Sequence, residues 1–312
     1  MEKRPRVKLG SINMSQNKKI WATLALLLTA AIWGSAFVFQ KFAVDELTTS
    51  FIVASRFSVA GIITAIATIK KWHRIDKEYL IGGLVSGSTM VLGSALQTVA
   101  MTYGTTPGKS AFLTSAYCVI VPFLGWIFMK ERPKRNHIIA AAICLVGIGL
   151  ISLEGSMKIT FGDGITLLCS GAFAANIISI AYYCRGRDPM LLTMLQICVA
   201  GLLGWIAVFA TGGFPQSLSW AAAGNVLYLA VFSTAVCLSL QSIGLKYINA
   251  TVGTIILSLE SVFGVVFSVL LFKEQITIRM ALGFVIIFFA IIFSQFDFTK
   301  TVDEKIVENP EN

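Results

Sequence analysis

The stretch Leu96-Gln97-Thr98-Val99-Ala100-Met101-Thr102-Tyr103 has a counterpart 144 residues later, Leu240-Gln241-Ser242-Ile243-Gly244-Leu245-Lys246-Tyr247, with Leu, Gln and Tyr at the same spacing. Val59-Ala60-Gly61 recurs as Val199-Ala200-Gly201 at an offset of 140, and Lys130-Glu131 as Lys273-Glu274 at an offset of 143. The same offsets pair Trp33 with Phe173, Arg56 with Gln196 and Tyr117 with Glu260. Each half carries five apolar stretches. Five is an odd number, so a tandem copy must enter a membrane the opposite way round. Inverted repeats about a site at mid-depth are the architecture of secondary carriers. The expectation is an all-α integral membrane protein, with ten transmembrane helices as two inverted five-helix repeats around a central cavity.

Composition supports the membrane reading. Of 312 residues, 56% are hydrophobic and 13% charged, against about 25% charged in a soluble domain. Ten stretches approach the ~20 residues a helix needs to cross hydrocarbon: 20–41, 49–70, 79–102, 107–129, 137–153, 162–184, 190–211, 220–244, 249–272 and 276–296. The repeats therefore cover 20–153 and 162–296. Residues 1–19 form a basic cytoplasmic leader, and 297–312 form a polar, acidic cytoplasmic tail expected to be disordered. The first apolar stretch follows Lys18-Lys19 as a signal peptide would, but it exceeds the 7–15 apolar residues typical of one, roughly speaking. It reads as a membrane helix.

The net charge of +9 does not point to nucleic acid, because the cations sort by loop. With the N-terminus inside, 19 of the 25 Lys and Arg residues fall on the inner side, five on the outer side, and Arg56 lies within a span. This bias places both termini in the cytoplasm of a cell with the protein in its plasma membrane. Trp21, Trp72 and Trp220 mark the interfaces. The six cysteines all lie in spans or at their ends, lack a Cys-x-x-Cys motif and read as small packing residues. Neither a metal-ligand cluster nor a phosphate-binding Gly-rich loop occurs, so no cofactor is expected. A lipid-modifying enzyme would need a nucleophile or acid–base constellation that the chain lacks.

Ionisable groups within hydrocarbon cost at least about 2.5–3.5 kcal/mol at a helix centre, so Arg56 and Glu260 are the sharpest clues. Glu260 falls near the middle of span nine and Arg56 about two turns from the outer end of span two. They either hold helices together or serve the cavity, Glu260 by binding a cationic group or a coupling proton and Arg56 by meeting an anionic one. Gln97 and Gln241 sit at mirrored depths. Ser86, Thr89, Gly93 and Gln97 share one helix face at three- and four-residue steps, as do Thr234, Cys237 and Gln241. Asn176, Tyr117 and Trp33 complete the candidate lining; Trp33 lies about 20 Å along its helix, too deep for an interfacial belt. Gly83-x-x-x-Gly87 is a helix-contact motif, and Pro122 should bend span four.

The run Ala31-Ile32-Trp33-Gly34-Ser35-Ala36-Phe37, Arg56-Phe57, Lys130-Glu131-Arg132, Leu259-Glu260 and Lys273-Glu274 resemble the EamA-type carriers of the drug/metabolite transporter superfamily. The resemblance covers about 20–296. It implies a ten-helix basket around a central cavity, with spans five and ten peripheral, and export of small metabolites, amino acids among them. The chain departs from that pattern where the family often has Pro after the span-nine Glu. Ser261 stands there, and Cys118 stands at the matching first-half position, with Pro122 one turn later. The expected function is secondary transport of a small organic solute through the lipid bilayer by alternating access. A solute or ion channel is the other class, separable by saturation and counterflow.

Overall fold

Thr48, Asp76, Thr106, Thr160, Asp188 and Ser219 each precede a helix and accept a backbone N–H from its first turn. Such caps satisfy donors that the helix itself leaves open. Pro107 and Pro189 follow two of them, at positions where the missing N–H is not needed. The computed structural model describes residues 16–130, 133–152, 160–184, 186–247 and 256–295. Most of the leader, the tail, the loop at 153–159 and the start of span nine fall outside these.

Every regular element among the described residues is helical. They are α1 (Gln16–Val44), α2 (Thr49–Thr68), α3 (Lys77–Thr102), α4 (Pro107–Ser115), α5 (Tyr117–Met129), α6 (Arg135–Ser152), α7 (Phe161–Tyr183), α8 (Pro189–Thr211), α9 (Trp220–Tyr228), α10 (Cys237–Tyr247), α11 (Glu260–Phe267) and α12 (Ile278–Gln295). Wide π turns join α9 to α10 over Leu229–Val236 and extend α11 over Ser268–Phe272. Among the described residues, seven helical stretches are long and apolar enough to cross a membrane, and three shorter apolar ones occupy 135–147, 256–272 and 278–293. Span four is α4 with α5; span eight runs from α9 through α10.

The packing pattern maps onto itself when the halves are exchanged. Span three packs on span six, as span eight packs on span one; span three packs on span seven, as span eight packs on span two. Spans one and nine touch as spans six and four do, while two with seven, four with nine and five with ten are their own counterparts. Small residues set the close approaches. A Cβ on Gly61 would lie 3.4 Å from Cys198 Sγ, and one on Gly201 would lie 3.2 Å from the Ser58 nitrogen, a reciprocal pair of contacts. The Gly83-x-x-x-Gly87 motif faces α8, where added Cβ atoms would meet the Cβ atoms of Leu195 and Val199 at 2.6 Å.

Span four does break, but at Ala116, six residues before Pro122. The Ala116 N–H bonds three residues back, to Leu113, at 3.3 Å. Span nine does the same at the repeat-related position: the Leu259 N–H reaches Ile256 at 3.2 Å. Ala116 and Leu259 have nearly the same backbone angles, φ −57° and ψ −16° against φ −62° and ψ −13°. Span nine has no proline in this region, so packing rather than a proline ring places the break. Tyr117 and Glu260 are the first residues after the two breaks.

The repeated Lys-Glu pair also has a structural meaning. Lys130 and Lys273 end their helices in the left-handed conformation, φ 61° and 57°, the two non-glycine residues of positive φ among those described. The turn at Lys273 directs Glu274 to the start of α4. There its carboxylate accepts from the Thr106 hydroxyl, the Ser268 hydroxyl and, at 3.0 Å, the Gly108 N–H. At the opposite end of the bundle, Lys71 binds Asp188 at 2.7 Å. Burial raises the Asp188 carboxyl, but bonds from Lys71 and the Met190 N–H outweigh it and hold the group below its ordinary value.

Gly34 lies against the backbone of α11, where an added Cβ would come within 2.5 Å of Phe263 Cβ and 2.7 Å of the Gly264 nitrogen. Gly34→Ala should lower stability in detergent by about 1–3 kcal/mol, the usual range for overpacking. Gly171→Ala, with nothing within 4 Å of the added atom, should leave the melting temperature unchanged or slightly raised. Equal melting temperatures for the two variants would show that α1 and α11 are not this close.

Candidate functional site

Polar side chains from seven spans meet in one cavity of about 110 Å³. Trp33, Arg56, Gln97, Tyr117, Asn176, Gln241 and Glu260, the residues singled out from the sequence, all line it. Gln40, Ser94, Thr114 and Ser233 add polar groups, and Phe37, Met90 and Phe173 add apolar wall.

Arg56 is 8% exposed. Its Nε donates to Thr234 Oγ1 at 2.6 Å, Nη2 to Ser233 Oγ at 3.1 Å and Nη1 to Gln40 Oε1 at 3.3 Å. Gln40 in turn donates to Thr98 Oγ1 at 3.0 Å. All these acceptors are neutral. Ser233 and Thr234 belong to the π segment of span eight, and the Thr234 hydroxyl donates five residues back, to the Leu229 carbonyl, at 2.9 Å. The Trp33 indole N–H donates to the Ser233 carbonyl at 2.8 Å, which fixes the ring against the cavity.

Glu260, 5% exposed, stands across from this network at the N-terminus of α11, where the helix dipole favours a carboxylate. Its Oε1 accepts from the Tyr117 hydroxyl at 3.1 Å and from Ser115 at 3.4 Å. Tyr117 and Glu260 are repeat mates, so the exchange axis of the two halves passes between them. Among the described residues no ion pair joins Arg56 to Glu260. The cavity therefore holds one buried guanidinium and one buried carboxyl, each hydrogen-bonded to neutral groups.

Gln97 and Asn176 are braced rather than free. Gln97 donates to Thr114 Oγ1 at 3.3 Å. Asn176 donates to the Ser86 carbonyl at 2.7 Å and to Gln196 Oε1 at 3.1 Å. Gly93 makes room for the Phe173 ring, the repeat mate of Trp33. The face assigned to span eight is only partly right. Gln241 lines the cavity, but Thr234 turns to Arg56 and the Cys237 thiol to the Thr29 carbonyl. The π turns upset three- and four-residue reckoning there. Sequence reasoning passed over Gln40 and Ser233. Gln40 carried the usable signal, a polar side chain one residue inside the predicted end of span one.

Arg56→Gln would strand hydroxyl and amide partners in a low-dielectric interior, a loss of roughly 1–3 kcal/mol. Glu260→Gln keeps the shape and removes a buried charge, so it should leave stability level or improved. Because the charges do not pair, the double variant should equal the sum of the singles within about 0.5 kcal/mol. Thermal unfolding of all four proteins measures this; a double variant that recovers the Arg56→Gln loss would reveal a direct charge pair.

Comparison with known proteins agrees with this architecture. The model of the EamA-like transporter family matches residues 20–153 and again 160–296. An uncharacterized transporter of Archaeoglobus fulgidus is 31% identical over 276 residues, 88% of this chain and 86% of the relative. An uncharacterized transporter of Bacillus subtilis, YetK, is 23% identical over 278 residues, 82% of this chain and 81% of that protein. One solved crystal structure superposes with a TM-score of 0.64 at 13% identity, covering 92% of this chain and 99% of the other, a likeness of fold alone. With the family match across both halves and a relative above 30% identity along most of its length, this multi-pass membrane protein belongs to the EamA-like transporter family.

Proposed function

We propose that the chain is a secondary carrier that exports a small amino acid or closely related metabolite across the plasma membrane by alternating access. The observation that carries this reading is the cavity with a buried guanidinium from one half and a buried carboxyl from the other, not paired with each other. Isolated charges in a low-dielectric interior are expensive, and they persist where they serve a ligand or a proton. In this reading ten spans form two inverted repeats, 20–153 and 162–296, with both termini in the cytoplasm. The site lies where the two halves meet. Glu260 binds the substrate ammonium and a coupling proton in turn. Trp33 and Tyr117 wall the site, and Gln97 and Gln241 hydrogen-bond near its two ends, with Asn176 between. A cavity of about 110 Å³ has room for roughly four waters at the ~30 Å³ each takes in the liquid, the scale of a small solute.

Purified protein in liposomes, given a panel of labelled amino acids and an imposed pH gradient, tests the function. Saturable flux with counterflow is expected, and Glu260→Gln should abolish its dependence on the pH gradient while the protein stays folded. Flux with the same pH dependence in that variant would remove Glu260 from the coupling step, and flux without saturation or counterflow would favour a channel.

Orientation is tested in intact cells. In a background without native thiols, a cysteine at Glu46 should react with an impermeant maleimide from outside, and one at His73 should not. The reverse labelling would invert the topology.

A further inference from the structure

Among the described residues, span eight carries π turns through its middle. The eight residues Leu229–Val236 run in π turns between α9 and α10. Such turns fit an extra residue into the helix at some loss of hydrogen-bond geometry and frequently mark functional sites. Here side chains hold the widened form. Arg56 grips Thr234 and Ser233, the Thr234 hydroxyl bonds the Leu229 carbonyl, and Trp33 occupies the Ser233 carbonyl. Arg56 and Ser233 also line the cavity.

A guanidinium on neutral hydroxyls is poised for exchange. A carboxylate takes the planar fork through two parallel N–H bonds, roughly twice as strong as neutral ones. We propose that Arg56 is the docking group for the anionic end of the transported solute, and that in leaving Thr234 and Ser233 it releases the π segment to α-helical turns. The proposal rests on the reading of the cavity as the substrate site and adds how occupancy of that site moves the helix. Shifting a helix by one residue turns it about 100° and slides it about 1.5 Å. That rotation takes Gln241 of α10 off the cavity wall, so Gln241 meets the solute on entry and lets go of it once Arg56 has docked the carboxylate. The ligand favours the released form because only there is the guanidinium free for both carboxylate oxygens, which is the differential affinity a population shift requires.

The test uses a reporter cysteine, Gln241→Cys, in the full chain with its six native cysteines replaced. Its maleimide reaction rate is followed with L-alanine, N-acetyl-L-alanine and L-alaninamide. The first two carry a carboxylate and should slow the reaction several-fold; the amide should not. Arg56→Gln should remove the response, and Thr234→Val should give the slow rate with no ligand present. Should Thr234→Val fail to fold, Ser233→Ala should show the same shift in smaller degree. Equal responses to acid and amide, a response that survives Arg56→Gln, no response to either carboxylate, or hydroxyl variants that react as the parent would each overturn the proposal. Vesicle flux separates it from the carrier reading. Flux without carboxylate-dependent labelling sinks the docking proposal alone; labelling without flux of any panel member sinks the carrier reading alone.

Discussion

Backbone N–H and C=O groups inside hydrocarbon must find partners within the protein, because lipid supplies none. Unbroken α-helices meet this demand, and most of the chain obeys, as in α1 with 29 residues and α3 with 26. The departures are confined. Apart from turns at helix ends such as Ser268–Phe272, the tight turns at Ala116 and Leu259 and the π turns of Leu229–Val236 adjoin cavity residues, namely Tyr117, Glu260 and Ser233. Irregular backbone is sustainable there because side chains supply the missing partners, as the Trp33 indole does for the Ser233 carbonyl. The cavity and the broken helices are thus one feature, since each is permitted by the polarity of the other.

Duplication supplied the frame, and divergence at paired positions supplied the chemistry. Helix contacts exchange between halves, the breaks fall at equivalent residues, and Lys130 and Lys273 both end a helix in the left-handed conformation. The side chains at the mated positions differ. Arg56 answers to Gln196, Glu260 to Tyr117 and Trp33 to Phe173. Gly93 yields space to Phe173, whereas its mate Cys237 donates its thiol to the Thr29 carbonyl. One half contributes the buried guanidinium and the other the buried carboxyl.

Much of this was legible in the sequence, for physical reasons. Spans announce themselves because hydrocarbon tolerates few charges, and polar residues within them stand out against that background; hence Trp33, Gln97, Asn176, Gln241 and Glu260 could be singled out before their meeting was visible. Arg56 was recognised, but not its partners. Those depend on a π segment that has no local sequence signature, since Leu229–Val236 is an ordinary apolar run with Ser and Thr. The break in span nine was equally silent. Pro122 pointed toward the break in span four but not to its position, and Leu259 lies in a stretch without proline. Tertiary packing made both choices. Glu274 could be matched to Glu131, yet its grip on the start of α4 needed the left-handed turn at Lys273.

The partners of span one have a bearing on how the molecule is made. Its long contacts are with spans eight and nine, and the Trp33 to Ser233 bond closes a separation of 200 residues. During synthesis the first helix to enter the bilayer therefore waits for nearly the last ones before it can settle. Local hairpins can form as the chain emerges, but closing the ring is a late event of high contact order. Until then Trp33 and the Gly34 face lie open to lipid or to a protein that guards nascent helices. A chain interrupted after its first half retains the repeat and loses the neighbours that span one requires.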